Sequence, residues 1–198
     1  MTLLLSQRAQ WILLGIMMAL MALTRYNHFF TPTLLADVTW AAFFVAGLMI
    51  TYRFAPIILI LEVLLIDLGG QWLFEVDIET AGCISPAYPF LLLAYMSLWA
   101  AGRLTQTKWQ NHWTSLVKLY TLLVIGVSVA FAISNLSYFA FADTVELLDF
   151  SQFVERVTPY WSSFLQAALF WVTTIIVTAY ALIKASTTHR HTLKNQAN

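Results

Sequence analysis

From Trp161 to Ile183 the chain carries no charged side chain. That run is one of several apolar stretches separated by short polar turns. A helix crossing the hydrocarbon core of a bilayer needs about 20 predominantly apolar residues. In lipid the backbone must satisfy its hydrogen bonds internally, which a helix does within one segment. The sequence therefore reads as an all-α integral membrane protein. Composition supports this: 60% of the 198 residues are hydrophobic and 10% are charged, with mean hydropathy +0.74. A soluble domain carries about 25% charged residues, so this chain has too few to coat a water-facing surface. The formal net charge is zero, and no nucleic-acid partner is expected. A single cysteine excludes an intramolecular disulfide.

Residues 1–198 form one transmembrane domain of six expected helices, about 9–24, 34–52, 55–68, 86–101, 113–134 and 161–183. The start is weakly signal-like, with Arg8 before Trp11–Leu23. It lacks an evident cleavage site before Arg25 and is expected to stay as the first helix. Basic residues set the orientation. Arg8, Arg53, Arg103, Lys108, Lys118, Lys184, Arg190 and Lys194 fall at one side, and only Arg25 and Arg156 at the other. Both termini are thus expected in the cytoplasm, with outer loops over 25–33, 69–85 and 135–160. Apart from Glu62, every acid lies in an outer loop or at the outer end of a helix. In the first helix Gly15 and Ala19 form a small-xxx-small pair, which would let another helix approach closely.

The outer loops are long or aromatic and the inner turns thin, so a site is expected on the outer face. Cys83 lies there, just before the fourth helix. A thiol at a helix N-terminus gains thiolate character, and a thiolate suits soft metals; the bland reading is a small apolar packing residue. Asp67, at the outer end of the third helix, reads as an acceptor for a ligand amide or hydroxyl, or as a solvated helix end. Glu62 lies about one and a half turns deeper, where an ion pair or a protonated state would lower its cost. Arg156 reads as a fork-shaped donor, or as the partner of Glu155 or Asp149. Tyr26 and His28 lie in the first outer loop, where His28 is a candidate metal ligand or an interfacial hydrogen-bonder. No histidine base adjoins Cys83 or Ser85 in sequence, and no glycine-rich phosphate loop is present.

Asp67, Cys83-Ile84-Ser85-Pro86-Ala87-Tyr88, Arg25-Tyr26-Asn27-His28-Phe29 and Arg156 together resemble the BtuM family of small bacterial cobalamin transporters. That family is similar to the S-components of ECF-type vitamin transporters. The resemblance implies a six-helix S-component-like bundle in the bacterial cytoplasmic (inner) membrane, acting without a dedicated ECF ATPase module. It implies no cofactor of the protein's own, with cobalamin or cobinamide as the transported ligand. Cys83 would be the axial cobalt ligand in a base-off, cysteine-on state. Tyr88 would line the corrinoid pocket, and Asp67 and Arg156 would contact its polar rim. Thiolate donation to cobalt would labilise an upper cyanide, allowing decyanation of cyanocobalamin at Cys83. Two features depart from the family: the loop between Asp67 and Cys83 is long and acidic, and Gly15 with Ala19 replaces an Ala-xxx-Ala pair. Competing readings are an S-component for another vitamin that needs a shared ECF module, a thiol-dependent membrane enzyme, and a structural subunit.

Overall fold

The computed structural model describes residues 5–30, 36–74, 86–106, 113–141 and 149–196, with the side chains at 26–30, 70–74 and 182–196 left aside. Among the described residues the chain forms six helices and no strand: α1 (Gln7–Phe30), α2 (Thr39–Met49), α3 (Ala55–Phe74), α4 (Tyr88–Gln106), α5 (Trp113–Phe141) and α6 (Phe150–Gln196). Three of them contain segments long and apolar enough to cross a membrane: Gln7–Arg25 in α1, Trp113–Phe141 in α5 and Phe150–Ala181 in α6.

The centre is α2, of 11 residues, every one of them buried. At 1.5 Å per residue it is about 16 Å long, well short of the expected 34–52. Polar groups fix both of its ends. At its start the Asp37 carboxylate accepts bonds from the Thr39 amide (2.9 Å) and hydroxyl (2.6 Å). At its finish Ile50 is extended, and Arg103 of α4 donates to the carbonyls of Ile50 (2.8 Å) and Thr51 (3.1 Å). A cation there also opposes the negative end of the helix dipole. Gln10 of α1 takes the Thr51 amide and hydroxyl, each at 2.9 Å.

Around α2 the packing is layered. The most extensive contacts are of α4 with α2 and with α5; α6 covers α5 and α2, and α1 pairs with α3. The close approach that was expected at Gly15 is elsewhere. Among the described residues nothing lies within 4 Å of a Cβ built on Gly15, whereas one on Gly47 would overlap the Trp99 carbonyl oxygen and one on Gly102 the Phe44 carbonyl oxygen. The backbones of α2 and α4 therefore touch at Gly47 and Gly102. The seam continues to α5, where a Cβ on Gly126 would stand 2.9 Å from that of Ala101.

The other helices run beyond their expected limits. Helix α1 continues through Phe30 and α3 through Phe74, so each takes in part of an expected outer loop; α4 and α6 extend at their far ends to Gln106 and Gln196. Helix α5 reaches Phe141 because its polar side chains bond back along the helix, Asn135 to the Phe131 carbonyl (2.9 Å) and Ser137 to that of Ser134 (2.9 Å). Helix α6 starts at Phe150 rather than near Trp161 and carries Pro159 inside it. Proline has no N–H to give the ladder. The surrounding turns hold nonetheless, and Thr158 Oγ1 donates to the Val154 carbonyl at 2.7 Å.

Asp149 starts α6. Its Oδ1 accepts from the Gln152 amide at 2.9 Å and from the Ser151 hydroxyl at 2.7 Å. These bonds favour the ionised form and hold the Asp149 carboxyl below its usual range. A depressed acid stabilises the fold above its unfolded-state value, and that contribution disappears as pH falls through the folded one. Acidification to that point is expected to lower the hydrogen-exchange protection of Ser151–Phe153 relative to the intrinsic rate at the same pH. Asp149→Ala should show the lower protection, and so the faster exchange, already at neutral pH. Equal exchange in the two proteins at neutral pH would rule out the cap.

Candidate functional site

Helices α1 and α3 end where α2 and α4 begin, and five charged or phenolic side chains converge there. Arg25 lies near the end of α1. Its guanidinium grips Asp67 of α3 with two parallel bonds, Nε to Oδ1 and Nη2 to Oδ2, both 2.6 Å. Nη1 turns the other way, toward Tyr95 Oη of α4 (3.1 Å), Asp37 Oδ2 (3.4 Å) and Thr39 Oγ1 (3.4 Å). Tyr88, in the first turn of α4, donates its hydroxyl to Asp67 Oδ2 at 2.7 Å. The Tyr95 ring stacks on Phe43 of α2, with centroids 4.7 Å apart.

Side-chain exposure is 13% for Arg25, 11% for Asp67 and 20% for Asp37. Most of the water that would solvate these charges is gone, so their mutual bonds replace it. A guanidinium suits this because it offers five donors in a planar fork. One cation faces two carboxylates, which leaves the cluster formally one negative charge in excess. Asp67 Oδ1 accepts one bond and Oδ2 two, against about four acceptor positions on a carboxylate. Among the described residues, one acceptor position on Oδ1 and the oxygen of Tyr88 remain for donors such as amide N–H groups.

The cluster unites two of the residues singled out in the sequence, Asp67 and Tyr88. Asp67 is not a solvated helix end: its carboxylate is held from both sides, by Arg25 and Tyr88. Arg156 stands apart, exposed on α6, and among the described residues it forms no ion pair with Glu155 or Asp149. Tyr26 and His28 belong to the last turns of α1 by backbone, and their side chains lie outside the described residues, as does Cys83 altogether. Glu62 is half-buried. Its Oε2 is buried without a hydrogen-bond partner, so the ion pair expected as one of its two states does not form among the described residues. There too, no three His, Cys, Asp or Glu side chains gather as a metal site.

In the sequence Arg25 served as a marker of orientation and as part of the Arg25-Tyr26-Asn27-His28-Phe29 resemblance, without a partner of its own, and Asp37, Thr39 and Tyr95 had no role. A signal was present: Arg25 is a lone cation at an apolar helix end on the acid-rich side, and such a charge finds a partner. Which acid it would choose is set by helix packing. A comparison with protein-family models finds no match for this chain, and a comparison with curated proteins finds none.

Proposed function

We propose that this protein is a cobalamin-binding transporter of the bacterial inner membrane. In this reading it has six spans in an S-component-like bundle, with both termini in the cytoplasm and the ligand site on the outer face. Cys83 is the axial cobalt ligand. Tyr88 and Asp67 border the corrinoid, with Tyr26, His28 and Arg156 at its rim. Binding is base-off and is accompanied by loss of cyanide from cyanocobalamin. The chain acts without a dedicated ATPase module.

The observation that carries this reading is the bond from Tyr88 to Asp67. These two residues come from separate helices, and the resemblance assigns both to the same pocket. Cys83 precedes Tyr88 by five positions, and five residues of extended chain span at most about 18 Å. That separation permits Cys83 and Tyr88 to serve one ligand. The apolar surroundings suit a corrinoid face, and the open acceptor positions suit its amide rim.

The test is an absorption spectrum of detergent-purified protein after cobalamin is added and the excess removed. A co-eluting corrinoid with a base-off spectrum is expected, and Cys83→Ser should lose both the shift and most of the retention. If Cys83→Ser retains the corrinoid with an unchanged spectrum, the axial-ligand assignment is wrong. If the wild type retains none, the ligand is wrong.

A further inference from the structure

A groove of 420 Å³ runs between α1 and α6, two of the helices long and apolar enough to cross a membrane. Met17, Trp171 and Ile175 are buried at its floor, and Ile12 and Ile16 stand half-exposed on its wall. Its lining is almost wholly apolar, and the hydroxyl of Thr174 is already bonded to the Phe170 carbonyl at 2.8 Å. The groove therefore asks for hydrocarbon and offers little to a polar ligand.

Length narrows the occupant. Along α1 the lining extends from Ala9 to Leu20, with Leu5 just before the helix also contributing; Ala9 to Leu20 is about 17 Å at 1.5 Å per residue. That is close to one leaflet, half of a hydrocarbon core about 30 Å thick. Charge narrows it further. Arg8 precedes Ile12 and Ile16 by four and eight positions, so it continues the face that forms the groove wall. It is exposed, and among the described residues it has no ion-pair partner. It thus lies beside one end of the groove, in the chain between the lining residues Leu5 and Ala9, within reach of the headgroup of an acyl chain seated there.

We propose that this groove binds one phospholipid of the adjoining leaflet, its acyl chain between α1 and α6 and its anionic headgroup against Arg8. The inference is independent of the corrinoid reading.

Native mass spectrometry of the detergent-purified protein, titrated with phosphatidylglycerol or phosphatidylcholine, tests it. One phosphatidylglycerol should be retained in preference to phosphatidylcholine. A basic residue near an anionic lipid surface contributes enough that Arg8→Gln should weaken retention about fivefold. Ala9→Phe, which fills the groove, should abolish it while leaving the circular dichroism spectrum unchanged. If Ala9→Phe fails to fold, Thr178→Leu serves, because it narrows the opposite wall from α6. Equal retention of the two lipids, or retention unaffected by both substitutions, would overturn the proposal. So would a dimer that the groove-filling substitution dissociates, because the occupant would then be a second copy of the chain.

Discussion

Arg25→Met is expected to destabilise the bundle by about 3–5 kcal/mol, the usual cost of removing one partner of a buried ion pair. The loss arises chiefly from what is left behind. Asp67 would keep a single bond, that from Tyr88, while its side chain stays 11% exposed. Asp37 would stand nearby with no cation between the two carboxylates. Arg25→Lys should recover only part of the loss, because an ammonium cannot reproduce two parallel bonds to one carboxylate. Arg25→Met combined with Asp67→Leu should be more stable than Arg25→Met alone, since both buried charges leave together. Tyr88→Phe removes one bond to a charged acceptor and should cost about 1.5–3 kcal/mol. Chemical unfolding in detergent, followed by circular dichroism, measures all four. If Arg25→Met unfolds within 1 kcal/mol or so of the wild type, the cluster is solvated and the argument from burial fails.

The sequence makes the apolar character of the chain and the existence of its helices plain, because hydropathy acts along a single segment. Their ends were less readable. Asp37 looks like one more acid at the outer end of an apolar helix until Thr39 is known to start α2, and Asn135 and Ser137 look like loop residues although they bond back along α5. The site was half readable. Asp67 and Tyr88 stood out at their helix ends, but their contact depends on how α3 and α4 rotate about their axes. Arg25 was visible as an isolated cation, yet its choice of partner is a tertiary fact. The same limit explains Gly15 and Gly47. Both are small residues in apolar helices, and sequence spacing favoured Gly15, which has an alanine four positions on. Which small residue meets another backbone depends on the face a helix presents, and Gly15 faces outward.

Gly47→Ala is expected to cost about 3 kcal/mol, at the upper end of what overpacking a core costs. The added methyl would meet the Trp99 carbonyl oxygen, which is backbone inside α4 and cannot rotate away as a side chain would. Relief requires α2 and α4 to move apart. That movement would disturb the bonds from Arg103 to Ile50 and Thr51, which hold the end of α2. It would also open the contact at Gly102, where the Phe44 carbonyl lies equally close. Gly102→Ala should therefore cost a similar amount. The pair should fall short of additivity, because one separation of the helices relieves both clashes. Gly15→Ala is the control. Its methyl meets nothing within 4 Å, and alanine is the better helix former, so stability should rise by about 0.5–1 kcal/mol. Opposite signs at Gly47 and Gly15 would locate the close approach on α2 and α4. A loss at Gly15 equal to that at Gly47 would mean that α1 has a packing partner of its own, and the tight seam would not be confined to the centre of the bundle.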